Sequence, residues 1–140
     1  MVVLKVWSAG HVLGWIKEGA AHQTFGTVKF SVSTARLRLF KHSRTCARCG
    51  IKGSVFILER FKEQTKGWHL NLYAKNKNGH LILMTKDHVI PRAKGGPDCM
   101  ANYQTMCRPC NSKKGDSVEI PKHDFRTRET GPISVVGQRG

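Results

Sequence analysis

Four cysteines fall into two Cys-x-x-Cys pairs, Cys46 with Cys49 and Cys107 with Cys110, and between them an acid and an imidazole stand side by side, Asp87-His88. Each cysteine pair has the spacing that turns two thiolates onto one ion, and four thiolates close a tetrahedron around Zn²⁺. Two disulfides, a redox pair or unrelated buried thiols are the alternatives. The total of five cysteines is odd, which argues against a secreted disulfide scaffold and for a reduced, interior, metal-binding protein. Four sulfur ligands leave no open coordination position, so such a zinc is architectural. Cys99 remains as a loop thiol or a small buried one.

The Asp87-His88 pair opens the stretch KDHVIPRAKGG, residues 86–96. Aspartate offers a hard oxygen for a cation, and an imidazole has the proton affinity of a base near neutral pH. On its own the pair would be read as a surface pair or a capping feature. Two asparagines give it an order: 13 residues separate His88 from Asn102, and eight separate Asn102 from Asn111, which directly follows Cys110. A strand, a long loop, a second strand and a helix packed across them would bring Asp87, His88 and Asn111 to one face. The zinc would hold that helix against the rest. Pro91 and the Gly95-Gly96 pair shape the loop, and His80 is read as the end of a hairpin.

The elements that must do this positioning are legible in part. VKFSVS (28–33) alternates like a short strand, and Ser33 or Thr34 is expected to cap a helix running to Lys41, with Leu37 and Phe40 on its inner face. SVFILERF, GWHLNLYA and GHLILMT are rich in branched and aromatic residues, with Asn78-Gly79 as a hairpin signal before the third. Residues 54–86 therefore read as a three-stranded meander. It fills the 57-residue gap between the cysteine pairs and must bring its ends together. Residues 101–107 read as another strand and 108–115 as a helix, with Pro109 tolerated in its first turn. Residues 1–32 carry the weakest pattern, and the chain from about residue 117, broken by Pro121 and Pro132, is expected to be an extended arm or disordered.

Charge sets the class of partner. There are 24 Lys and Arg against 9 Asp and Glu, a formal +15 with pI near 10.1, and such a field draws polyanions. Residues 1–45 hold seven cations and one anion, and residues 46–116 hold thirteen and five, so the basic surface belongs to these two segments. A solvated basic surface or a ribosome-like structural role would share this bias. No stretch reaches the ~20 apolar residues of a membrane span, and the N-terminus lacks the pattern of a signal peptide. A cytoplasmic protein, in a bacterium or a phage-infected host cell, is expected.

Taken together, CARCG, DHVIPRAKGG, Asn102 and CRPCNSKKGD resemble the His-Asn-His (HNH) endonucleases of the ββα-metal fold, in the phage-type branch that carries a four-cysteine zinc site. The resemblance covers residues 46–115, about half of the chain, with Asn111 in the third position as in the HNN variant. It implies an α+β fold: a ββα-metal nuclease core with a zinc knot and an additional antiparallel meander. It also implies His88 as general base, Asp87 and Asn111 as ligands of a catalytic Mg²⁺ or Mn²⁺, and Asn102 as the brace of the loop that carries the base. Cys46, Cys49, Cys107 and Cys110 would hold the structural Zn²⁺.

Arg92, Lys94, Lys113 and Lys114 flank that site and are candidate phosphate contacts, although any one of them could equally be a solvated cation. The chain divides on this reading into a basic extension (1–45), the nuclease core (46–116) and a C-terminal arm (117–140). The expected activity is metal-dependent nicking or cutting of duplex DNA by a monomer or homodimer, with a partner protein conceivable on the N-terminal extension. The competing readings are a non-catalytic zinc module that binds nucleic acid and a branched-DNA resolvase.

Overall fold

A computed structural model describes residues 1–19, 21–64 and 67–118. The chain runs β1 (Val2–Ser8), α1 (Ala9–Leu13), β2 (His22–Phe25), β3 (Val28–Ser31), α2 (Ala35–His42), β4 (Gly53–Arg60), β5 (His69–Lys75), β6 (Leu81–His88), β7 (Tyr103–Cys107) and α3 (Arg108–Lys114). It is an antiparallel α+β fold. A five-stranded sheet has the order β1-β4-β5-β6-β7, and β2 and β3 form a separate hairpin. The arm expected from residue 117 lies, beyond Val118, outside the described residues, as does part of the link between β4 and β5.

The meander is present as β4, β5 and β6, and α2 begins where its cap was expected, with the Thr34 hydroxyl accepting from the Leu37 amide at 3.2 Å. The hairpin between β5 and β6 is closed by a side chain upstream of Asn78-Gly79. Asn76 Oδ1 accepts the amides of Asn78 and His80, both at 2.9 Å, and Gly79 takes a positive φ, 81°. That left-handed residue costs a glycine nothing. His80 stands at the end of this hairpin, exposed.

The N-terminal residues enlarge the sheet beyond the meander. β1 pairs along β4 from Val2 opposite Arg60 to Ser8 opposite Val55, with a register shift between Val3 and Lys5. A bulge of this kind moves the following side chains to the other face. Period-two alternation is therefore lost in VVLKVWS. The same N-terminal residues share one core with the sheet: Val12, Ile16, Phe30, Val32, Leu37 and Phe40 are buried together with Phe56, Leu58, Leu70 and Leu72. Phe40 of α2 meets Phe56 of β4 at 6.4 Å between ring centroids. The close fit continues at Gly53, where a Cβ would stand 2.5 Å from Leu72 Cγ.

β6 is shared between two ladders. Residues 81–83 pair with β5, and residues 84–88 pair with β7. The second ladder carries Asp87 opposite Gln104 and His88 opposite Tyr103, and α3 follows β7 without a linker. The ββα unit expected from the motif order is therefore built of β6, β7 and α3, with the loop 89–102 at its open end.

Truncating Phe56, fully buried where α2 meets the sheet, removes that contact and leaves a cavity. Phe56→Ala is expected to lower the unfolding free energy by about 3–5 kcal/mol in urea titration, with the zinc content of the folded fraction unchanged.

Candidate active site and metal centre

The sulfur atoms of Cys46, Cys49, Cys107 and Cys110 all lie within 4.8 Å of one another, and the Cys49 and Cys107 Sγ atoms are 3.8 Å apart. A tetrahedron with Zn–S bonds of about 2.3 Å has edges of about 3.8 Å. All four are free thiols, so the two-disulfide alternative is not what the chain adopts. Burial pushes the Cys46 thiol up, but hydrogen bonds from the backbone of Cys49, Cys107 and Arg48 outweigh it and bring the group to about 7. Burial also pushes up Cys107 and Cys110. Four thiolates this close cannot ionise together without a cation among them, and the donor set fits a structural zinc ion.

Local backbone makes the cluster. Gly50 at φ 82° closes the first knuckle, where its amide donates to the Cys46 carbonyl at 3.0 Å. The knuckle is sewn to β7 by the Ala47 amide on the Thr105 carbonyl, 2.9 Å, and by the Thr105 hydroxyl on the Ser43 carbonyl, 2.6 Å. Cys107 is the last residue of β7 and Cys110 lies in the first turn of α3, so the same cluster sets the angle between strand and helix. Cys99 is exposed in the loop, apart from the cluster.

Asp87, His88 and Asn111 line one cleft of about 430 Å³, together with Lys86, Pro91, Arg92, Lys114, Gly115 and Asp116. Asp87 is nearly buried, and its Oδ2 accepts from Gln104 Nε2 at 2.9 Å and lies 3.2 Å from Lys114 Nζ. Lys114 is not the solvated cation its place in the sequence suggests. It is 4% exposed, and its ammonium also donates to the His88 carbonyl at 2.9 Å. The ammonium thereby offsets the Asp87 charge and holds the end of β6 to α3.

The Asn111 amide is oriented through Thr85. The Thr85 hydroxyl donates to the Met106 carbonyl at 2.7 Å, so it can only accept from its other neighbour, and Asn111 Nδ2 donates to it at 2.9 Å. Asn111 Oδ1 is left as the free ligand atom of that amide.

Asn102 zips the loop. Its side chain accepts from the Ile90 amide at 2.9 Å and donates to the Ile90 and Pro97 carbonyls, each at 3.0 Å, while its own carbonyl accepts from Val89 at 2.8 Å. An asparagine supplies both an acceptor and two donors from one buried position, which an aspartate or a leucine could not.

His88 packs edge-on against Tyr103, 5.1 Å between centroids at 87°, and its Nε2 lies 2.7 Å from Asp98 Oδ1. Arg92 Nε donates to the same oxygen at 3.0 Å. Hydrogen bonds from His88 and then Arg92 hold the Asp98 carboxyl below the ordinary carboxylate value. Lys94 and Lys113 are exposed on the loop and the helix. Asp98, Gln104 and Thr85 were not singled out in the sequence. Gln104 and Thr85 could have been found once the β6–β7 register was known, whereas Asp98 carries no spacing signal.

A strand pair capped by a helix, with an Asp-His pair at the end of one strand and an asparagine of the helix lining the same cleft, is the arrangement that the ββα resemblance implies. The comparison with known families agrees. The model described as HNH endonuclease matches residues 75–123, which hold all of β6, β7 and α3. This stretch is similar to the HNH endonuclease family, and the match supports a nuclease activity on nucleic acid. The match covers less than half of the chain and begins after the first cysteine pair. No curated protein and no solved structure matches the chain. Among the described residues, no helix is long and apolar enough to cross a membrane.

Two outcomes test this geometry. Cys110→Ser is expected to lose stoichiometric zinc, read by elemental analysis, and to lower the melting temperature by ~10 °C or more. Asn102→Ala removes three side-chain hydrogen bonds from a buried position and is expected to cost about 1–3 kcal/mol. That second variant should keep its zinc while losing cleavage activity.

Proposed function

We propose that this protein is a metal-dependent DNA endonuclease in which His88 is the general base and Asp87 with Asn111 holds one divalent cation, Mg²⁺ or Mn²⁺. The observation that carries the reading is the convergence of these three side chains on one cleft at the junction of β6 and α3. The donor set suits a hard cation. Asp87 Oδ2 is engaged by Gln104 and Lys114, which leaves Oδ1 for the ion, and the Thr85 contact leaves the Asn111 carbonyl oxygen. A cation bound there would supply charge stabilisation to the scissile phosphate and the departing oxygen.

The chain's own residues do the rest. His88 takes a proton from the attacking water, which an imidazole can do near neutral pH. Tyr103 limits the tilt of its ring, and Lys114 fixes the main chain beneath it through the His88 carbonyl. Arg92 lines the cleft, Lys94 and Lys113 stand exposed on the adjoining loop and helix, and these three are the phosphate contacts on this reading. Lys114 serves the same anion through Asp87 and the strand end. The formal +15 favours nucleic acid as the substrate, with a salt-sensitive affinity. Duplex DNA is the proposed form, bound by a monomer or a homodimer.

The test is cleavage of supercoiled plasmid with Mg²⁺, Mn²⁺ or EDTA. Wild type is expected to nick or linearise the plasmid only with a divalent ion, and His88→Ala is expected to lose at least ~100-fold in rate while still binding DNA. DNA binding without cleavage by the wild type, on plasmid and on branched substrates alike, would establish a non-catalytic zinc module instead.

A further inference from the structure

The loop between β6 and β7 is built to bring one acid back to the base. Pro91 leads into a short 3-10 turn, Arg92–Lys94, and Gly95 ends it in the left-handed region at φ 83°. Gly96 then runs against the strand end it has just left. A Cβ there would stand 1.7 Å from the Ile90 carbonyl oxygen, a distance no other residue can meet without moving the backbone. The Gly96 amide donates to the Pro91 carbonyl at 3.0 Å, and Asn102 holds the Pro97 carbonyl at 3.0 Å. The residue delivered by this reversal is Asp98. Its Oδ1 receives both His88 Nε2, at 2.7 Å, and Arg92 Nε, at 3.0 Å.

We propose that Asp98 is the positioning residue for His88: its carboxylate holds the Nε2–H of the ring and so fixes the tautomer in which Nδ1 is the bare, proton-accepting nitrogen. This rests on His88 being the base. A neutral imidazole carries one proton, and a carboxylate can only accept, so a ring nitrogen 2.7 Å from Oδ1 is the protonated one. When the O–H bond of water breaks and the proton goes to Nδ1, the ring becomes an imidazolium, and Asp98 already faces its other N–H. Arg92 has a second task on this reading, as it anchors the carboxylate through Nε. The alternative is that Asp98 is a surface acid pairing with Arg92. The two roles predict opposite effects of its removal, because a negative charge beside a phosphate-binding cleft weakens DNA binding.

The experiment measures kcat and KM for plasmid cleavage with the full-length zinc-loaded chain, for wild type, Asp98→Ala, Asp98→Asn and His88→Ala. Asp98→Ala is expected to lose ~10–100-fold in kcat, as for other groups that orient a site ligand, with KM unchanged or lower. Asp98→Asn should recover part of that loss, because Arg92 keeps the amide oxygen turned to His88. Both variants should retain the wild-type melting temperature.

A lower KM with kcat intact in Asp98→Ala would make Asp98 a mere surface acid and overturn the proposal. A kcat loss that Asp98→Asn does not relieve, together with a lowered melting temperature, would assign Asp98 to loop folding and overturn it equally. Activity retained by His88→Ala would remove the base reading and this inference together. Inactive His88→Ala beside fully active Asp98→Ala would sink this inference alone.

Discussion

Four sulfur atoms drawn within 4.8 Å of one another decide how the two halves of this chain meet. Two come from a knuckle that follows α2, and two come from the corner at which β7 turns into α3, more than fifty residues later. Without a cation the cluster is electrostatically unfavourable, since burial raises the cost of ionising Cys107 and Cys110. With one, it becomes a cross-link whose strength comes from charge neutralisation rather than from apolar burial. The placement of Asn111 follows directly, because it is the residue after Cys110 on a helix with only seven residues. A helix that short has little stability of its own, so the sulfur cluster and the Lys114 contacts give it its place.

The sequence carried the site more openly than the scaffold. Cysteine spacing, the Asp-His pair and the two asparagines are local patterns whose meaning survives without knowledge of the fold, and the structure places Asp87, His88 and Asn111 around one cleft with Asn102 bracing the loop. The meander and α2 were legible because β4, β5 and β6 keep β-rich composition and Thr34 is an effective cap. β1 was not. Its register shift after Val3 breaks the alternation that identifies a strand, and its identity comes from pairing with β4, which lies some fifty residues away. Asp98 was hidden for a related reason: an acid in a loop gains meaning only from the chain reversal that sets it against His88. Lys114 shows the converse, since a cation among cations looks solvated until its neighbour Asp87 is found.

Two acids beside the cleft are paired before any ligand arrives. Asp87 faces Lys114, and Asp98 faces Arg92 and the His88 ring, each within hydrogen-bond reach. The Lys114–Asp87 pair is the more consequential because both partners are nearly buried, where an unpaired charge is costly. Asp98 is more than half exposed, so water screens its pairs and their worth lies in direction rather than in stability. The two acids thus hold their neighbours by different means. One is locked by desolvation, the other by loop geometry.

The division of β6 between two partners has a mechanical corollary. Its first residues, 81–83, are hydrogen-bonded to β5, whereas residues 84–88 pair along β7. The change of partner does not separate the two regions, because Met84 of β6 and Met106 of β7 are buried in the same core as Phe56 and Leu72. The β6–β7–α3 corner is therefore clamped twice, by apolar packing on its inner side and by the sulfur cluster at its turn. Loosening either clamp would be felt at the cleft, however far the altered residue stands from it.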